Sequence, residues 1–301
     1  MGQDQSLDGF LAGGPLLAGQ AELCRRRRFG YDIRMLLPSA VIRGAWSRKG
    51  PAGRLLAACE LKRIKRLPRY RPFRTRLLGP WLQGVDGPSF YYAFREIFEK
   101  RNYEFTCTSA APRIIDGGAN IGLSVLFFKQ LFPAARIVAF EPDATVFAAL
   151  AENVLSFDLH DVELVNQALW VRDQRLTFYS EGADAGRLRC AHERGVSVQV
   201  QACRLRDYLA EPLDMLKLDI EGAEVDVLLD CADRLDGVQS LYVEYHSFAG
   251  QPQRLDELLA ILRNAGFRIQ IHTQFASHRP LVSRATTLGM DFQADVCAYR
   301  E

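Results

Sequence analysis

Residues 113–143 read RIIDGGANIGLSVLFFKQLFPAARIVAFEPD, and this one run sets out a strand, a glycine-rich turn, a helix and a second strand. Arg113 to Ile115 form a short β-rich lead into Asp116. Gly117, Gly118 and Gly122 then free the backbone to turn, and Leu123, Leu126, Phe127 and Leu131 recur at helical spacing. Pro133 breaks the helix. Ile137 to Phe140 read as a second buried strand ending in Glu141, 19 residues beyond Gly122, where a ribose-binding acid is expected in a doubly wound α/β fold. The ligand implied is nucleoside-like.

The alternation of strand and helix continues outward from this run. The pattern predicts strand 113–116, helix 120–132, strand 136–141, helix 144–157 and strand 162–166, the rhythm of a parallel sheet. It resumes with strand Met215 to Asp219, helix Ala223 to Leu235, strand Ser240 to Tyr245 and helix Arg254 to Asn264. Phe267 to His272 and Asp295 to Arg300 read as a closing hairpin with a loop of about 20 residues, a length that is often functional. Between the two series, Arg175 to Tyr179 and Ser197 to Gln201 alternate in polarity and suggest an added hairpin over one edge, with a lid role. On the amino-terminal side, helical segments are expected from about Ala21 to Leu78, broken at Pro38, Gly50-Pro51 and Pro68, followed by a short β-region around Phe90 to Phe105.

Composition allows one α/β domain plus an appendage in 301 residues that are 48% hydrophobic and 25% charged. The division expected is a basic extension over 1–85 and a main domain over 86–301. No run of 18 or more apolar residues occurs, and Phe10 to Ala18 has no basic residue before it, so neither a spanning helix nor a secretory signal is predicted. The expected location is cytoplasmic, peripheral to a membrane at most. Seven scattered cysteines without a CxxC pair fit reduced thiols. The net charge of +2 hides an asymmetry: residues 1–80 hold 17 Lys or Arg against 5 Asp or Glu, and residues 81–301 hold 21 against 31. Arg25 to Arg28 and the block Lys62, Arg63, Lys65, Arg66, Arg69, Arg71, Arg74 and Arg76 carry the excess. They could meet an anionic membrane, a pyrophosphate-linked glycan or a phosphopantetheine carrier. The bland alternative is a solvated face, or counter-charge for the acidic remainder. No motif that reads RNA or DNA accompanies the arginines, so nucleic acid is the least favoured partner.

Charge argues which nucleoside. A dinucleotide site uses a second glycine to let the backbone approach a pyrophosphate, and GGANIG puts Ala119 there, with Asp116 just before the loop. A carboxylate there would repel a pyrophosphate, which disfavours NAD, and would suit the ammonium and sulfonium of S-adenosylmethionine. A second cluster, LKLDIEGAE at 216–224, delivers Lys217, Asp219, Glu221 and Glu224 at or just past the end of a strand. The next strand ends VEYHSF, with Glu244 and His246 on one face. Methyl transfer to oxygen needs a proton acceptor beside the nucleophile, and His246, Glu221 and Asp219 are the candidates. Glu224 reads as a partner of the helix dipole. Behind these readings stand an edge pair of Glu244 with His246, and a divalent metal held by Asp219, Glu244 and His246. No metal is favoured.

The set DGGANIG, FEPD, VNQAL at 165–169, KLDIEGAE and VEYH, in that order, resembles the FkbM family of S-adenosylmethionine-dependent methyltransferases from about Phe94 to Ile271. The resemblance implies a Rossmann-like, mostly parallel seven-stranded sheet of the class I methyltransferase type. It implies a donor loop of Asp116, Gly118, Asn120 and Gly122, with Glu141 on the ribose hydroxyls. It also places Pro142, Asp143, Gln167 and Ala168 by the adenine. Members mostly methylate hydroxyls of natural products or sugars, so the acceptor expected is a hydroxyl on a saccharide or secondary metabolite. The alternatives are N-methylation of an amine or amide, and a non-catalytic nucleoside-fold domain that docks on a polyanion or membrane.

Overall fold

A computed structural model of the chain describes residues 51–180 and 196–301. The helical segments expected before residue 51 and the tip of the hairpin expected as a lid lie outside the described residues.

The first described element, α1 (Pro51–Lys65), is followed by the short antiparallel pair β1 (Phe73–Thr75) and β2 (Leu82–Gly84) and by α2 (Gly87–Phe94). The helix α2 continues into a π turn over Arg95–Glu99. This corrects the β-region expected around Phe90 to Phe105. The aromatic content there suggests strand, but Phe90, Phe94 and Phe98 recur every fourth residue and stack along one helical face at 6.0 and 4.9 Å between ring centroids. Asp86 caps the start by accepting from the Ser89 amide, and Pro88 stands in the first turn, where its missing N–H costs nothing.

Next come β3 (Arg113–Gly117), α3 (Leu123–Leu131), β4 (Arg136–Phe140), α4 (Ala144–Ser156) and β5 (Val162–Val165). A second sheet of three strands, β6 (Ala168–Trp170), β7 (Gln174–Ser180) and β8 (Val196–Arg204), contains the antiparallel pair expected from the alternating runs, with Arg175 opposite Gln201. The chain then returns through β9 (Leu213–Leu218), α5 (Glu224–Asp230), β10 (Val238–Phe248), α6 (Leu255–Asn264), β11 (Arg268–Ala276) and β12 (Met290–Tyr299). The helix expected over Ala223 to Leu235 stops at Asp230 and tightens into a 3-10 turn over Ala232–Gly237.

The seven-stranded sheet runs β11-β12-β10-β9-β3-β4-β5. Its strands are parallel except β12, which lies antiparallel between β10 and β11. The order reverses between β3 and β9: from β3 the chain builds outward through β4 and β5, and from β9 it builds the other way. Ligands of open α/β sheets bind beyond the carboxyl ends of the strands at such a reversal. Strand side chains alternate faces, so Ile114, Met215 and Tyr242 feed one apolar cluster while Ile115, Leu216 and Val243 feed the other. The first of these clusters also takes Ala57, Leu61, Ile64, Leu77 and Leu82, so residues 51–85 pack in the same core as α3.

That packing shows where much of the second basic block goes. Arg69 pairs with Asp86 at 3.1 Å, Arg74 with Glu152 at 2.8 Å and Arg63 with Glu60 at 2.7 Å, while Lys65 lies 4.5 Å from the centre of the Tyr91 ring. Lys62, Arg66 and Arg71 are exposed. Among the described residues, Cys59, Cys107, Cys203, Cys231 and Cys297 are free thiols, and no helix is long and apolar enough to cross a membrane.

Candidate active site

A cleft of about 580 Å³ opens at the reversal point between β3 and β9. Its two ends have different construction.

At the first end the backbone makes the site. Gly118 adopts φ +81°, and a Cβ there would sit 1.8 Å from the Asp219 carbonyl oxygen, so only glycine lets the loop after β3 cross the end of β9. The Gly118 and Ala119 amides donate to the Phe140 carbonyl at 3.1 and 2.8 Å, which ties the loop to β4. Asn120, also left-handed at φ 49°, turns its own amide onto Glu141 Oε2 at 3.1 Å, and the Asp143 amide donates to Oε1 at 2.8 Å. Glu141 is thereby held with further lone pairs on both oxygens, as two ribose hydroxyls require. Burial pushes its carboxyl up to about 8, against the pull of the two amides. Asn166 donates to the Glu141 and Pro142 carbonyls at 2.8 and 3.1 Å and fixes the loop beside Gln167 and Ala168.

Gly118, Asn120, Glu141, Pro142, Asp143, Gln167 and Ala168 all line this cleft. The Asp143 side chain also caps α4, accepting from the Thr145 and Val146 amides at 2.8 and 3.1 Å. Two residues assigned to the donor loop do not line the cleft. Gly122 is the left-handed cap of α3, with Leu150 where a Cβ would go. Asp116 is fully buried beneath the loop. It accepts from the Ser124 hydroxyl and pairs with Lys217 at 3.0 Å, so its charge is neutralised inside the protein and does not face the ligand. Contrary to the expectation from its place before the loop, Asp116 therefore neither repels a pyrophosphate nor attracts a sulfonium in the cleft.

Lys217 is the group whose role sequence reasoning did not assign. Its ammonium bonds the Gly118 carbonyl at 2.7 Å and lies 3.7 Å from Asp219 Oδ2. Burial lowers its pKa, but Asp116 and Asp219 outweigh this and hold it above the usual range. A buried ammonium thus locks the glycine loop to the second end of the cleft.

That second end is crowded with acids. Asp219 and Glu221 stand where β9 gives way to the turn before α5, with Glu221 left-handed at φ 56° and Gly222 at φ 99°. Glu224, the first residue of α5, folds back to accept from the Ile220 and Gly222 amides at 3.2 and 3.0 Å and meets His246 Nδ1 at 3.1 Å. His246 Nε2 lies 4.0 Å from Asp219 Oδ1 and 3.8 Å from both Glu221 Oε2 and Glu244 Oε1. Burial lowers the imidazole pKa, yet Glu221 and Glu224 outweigh it and hold the ring well above its ordinary value. The Glu244 carboxyl is pushed well up by burial and by Asp219, and it accepts from Gln293 on β12. Since β10 lies between β12 and β9, Glu244 and His246 are not an edge pair. The three candidate proton acceptors are therefore brought together, with Asp219 and Glu221 nearer the opening: their side chains are 25% and 18% exposed, against 1% for His246.

Sequence reasoning missed the far wall. Asp295 on β12 accepts from Tyr242 Oη at 2.6 Å, and both it and Glu96 accept from Asn102, which ties the π turn after α2 to the last strand. Gln274, on the bulged end of β11, also donates to Asp295. The closing strands are longer than expected, so the connection shortens to residues 277–289, and Gln274 and Gln293 reach the cleft as a result. Composition gave no signal for this wall, because Asn102 and Asp295 stand 193 positions apart.

The fold and cleft define a Rossmann-like α/β protein with a cleft at its strand reversal, backbone-built at one end and acidic at the other. The model of the methyltransferase FkbM domain matches residues 116–269, and the chain belongs to that family of methyltransferases. It is 28% identical over 235 residues to methyltransferase sdnD of Sordaria araneosa, covering 63% of this chain and 90% of that one. Similarity to 31-O-demethyl-FK506 methyltransferase FkbM of Streptomyces tacrolimicus is 27% over 230 residues, covering 64% and 86%. To 2-O-methyltransferase NoeI of Sinorhizobium fredii it is 28% over 155 residues, covering 44% and 63%. The family implies S-adenosylmethionine, and the residues present fit it: a bare backbone at Gly118 and a held carboxylate at Glu141, both facing the cleft.

Proposed function

We propose that this methyltransferase acts on a hydroxyl oxygen of a saccharide or secondary metabolite. The observation that carries the reading is the placement of Asp219 and Glu221, two partly open carboxylates, in the same cleft as Gly118 and Glu141. Gly118, Asn120 and Glu141 would hold the nucleoside of S-adenosylmethionine, with Pro142, Gln167 and Ala168 beside the base. Bound there, S-adenosylmethionine supplies an electrophilic methyl on a sulfonium. The acceptor hydroxyl oxygen forms the new O–C bond as the S–C bond breaks, and its proton passes to Asp219 or Glu221. His246 lies behind them, with Nε2 4.0 Å from Asp219 and 3.8 Å from Glu221. Alignment of the reactants can contribute roughly 7–11 kcal/mol, and base assistance a smaller share of about 10²–10⁴-fold. The names of two of the relatives specify methylation at oxygen.

The acidic wall would also hold an amine, the acceptor of the N-methylation alternative. An ammonium has no lone pair to attack with, however, and these carboxylates favour the protonated amine, so the hydroxyl reading is preferred. Calorimetric titration of S-adenosylhomocysteine, followed by methyl transfer to acceptor panels bearing only hydroxyls or only amines, tests both parts. Tight binding with turnover on the hydroxyl panel is expected; turnover confined to amines would overturn the acceptor class.

A further inference from the structure

The four carboxylates around His246 divide into two roles. Glu224 takes Nδ1 at 3.1 Å while two backbone amides hold its own oxygens, so the ring is oriented from behind. This leaves Nε2, on a side chain only 1% exposed, aimed at Asp219, Glu221 and Glu244 oxygens at 3.8–4.0 Å. Those distances lie beyond hydrogen-bond reach. A buried ring nitrogen, fixed by a carboxylate on its other nitrogen and facing oxygens just out of reach, matches the way proteins present histidine to a metal.

Around an octahedral ion with bonds of about 2.1 Å, ligand atoms stand roughly 3.0 Å apart when adjacent and roughly 4.2 Å apart when opposite, so Asp219 and Glu221 would each close in by about 1 Å from their present 4.0 and 3.8 Å to stand beside Nε2 on an ion. One ligand atom each from Asp219, Glu221 and His246 all lie within 4.8 Å of one another. Glu221 therefore replaces Glu244 in the ligand set read from sequence; Glu244 is engaged by Gln293. The Lys217 ammonium pairs with Asp116 at 3.0 Å, bonds the Gly118 carbonyl and lies 3.7 Å from Asp219 Oδ2. Asp219, Glu221 and Glu244 all face Nε2, and a divalent cation among them would offset their mutual repulsion.

We propose that Asp219, Glu221 and His246 bind one divalent cation of the Mg²⁺ or Mn²⁺ class at the acceptor end of the cleft, with its remaining positions open to acceptor oxygens. Two carboxylates with one imidazole suit this class, Mn²⁺ tolerating the nitrogen best. The proposal rests on the reading of this end as the acceptor site and narrows the acceptor to one with two adjacent oxygens that can chelate, as in a vicinal diol.

The test is a titration of the full chain with Mn²⁺ alone, followed by the electron paramagnetic resonance of the free ion. One saturable Mn²⁺ per chain is expected. Asp219→Asn, which preserves shape, and His246→Ala should each weaken it at least about tenfold, and Glu224→Gln, by releasing the ring, roughly 10–100-fold. Thermal unfolding and S-adenosylhomocysteine binding identify variants that remain folded. Absence of saturable Mn²⁺ binding, or binding unchanged in Asp219→Asn, overturns the site. Methyl transfer that persists undiminished after exhaustive chelation also overturns it while leaving the methyltransferase reading intact, whereas failure to bind S-adenosylhomocysteine counts against that reading alone.

Discussion

The two ends of the cleft solve opposite problems. The end proposed for the donor is built from backbone: glycine and left-handed turns bring the chain close, and a single carboxyl group, Glu141, is held by two amides. The end proposed for the acceptor is built from side chains, with Asp219, Glu221, Glu224 and Glu244 gathered around one imidazole. A nucleoside is the same in every reaction that uses it, so a rigid cradle made by one stretch of chain suffices. An acceptor must be deprotonated and placed, which takes charged groups from several strands at chosen distances. Lys217 joins the two ends, touching Asp116 and the Gly118 carbonyl on one side and Asp219 on the other.

The strongest way to break this division is to cut the joint. Lys217→Met leaves Asp116 buried and unpaired, and a loss of about 3–5 kcal/mol of stability is expected, measured by denaturant unfolding. If the two ends were independent, S-adenosylhomocysteine binding by the folded fraction would survive this change; we expect it to weaken as well, because the glycine loop loses its anchor.

Asp219→Asn addresses the acceptor end alone. Turnover should fall roughly 10²–10⁴-fold with donor affinity little changed, read from steady-state kinetics beside calorimetry. A parallel loss of donor affinity would merge the two ends into one.

Glu141→Gln is the mirror test. Donor affinity should drop roughly 10–100-fold, from about 1.5–3 kcal/mol for a charge-assisted hydrogen bond, with Mn²⁺ binding unaffected.

The smallest effect concerns protons. With its pKa at about 8 in the donor-free protein, Glu141 is largely protonated at pH 7. Ribose hydroxyls that donate to it favour the carboxylate and lower that value, so binding releases a proton. Affinity for S-adenosylhomocysteine should therefore rise with pH up to about 8 and level off above it, by at most about tenfold per unit. Calorimetry in buffers of different ionisation heat measures the released proton, and Glu141→Gln should abolish it.

The same division explains what could be read in advance. The turn, helix and strand from Arg113 to Asp143 were legible because their contacts are local: the Asn120 amide and Glu141 are 21 residues apart within one βαβ unit. The helical face of Phe90, Phe94 and Phe98 was also present in the spacing, but aromatic content pointed to strand; fourfold recurrence, not residue type, was the better signal. The role of Lys217 was not legible. The motif KLDIEGAE contains it, but nothing in a linear pattern says that its ammonium turns inward to Asp116 rather than outward with Asp219.

The sequence by itself determined the alternation of strands and helices, the glycine-rich turn after β3 and the acid that ends β4. These follow from backbone sterics and from periodicity, which act over a few residues. Only the tertiary structure decided which acids face the cleft, which are neutralised beneath it, and that His246 is oriented by Glu224 with its other nitrogen aimed at Asp219 and Glu221. Charge and desolvation act through space, and β3, β9, β10 and β12 come together only when the sheet closes.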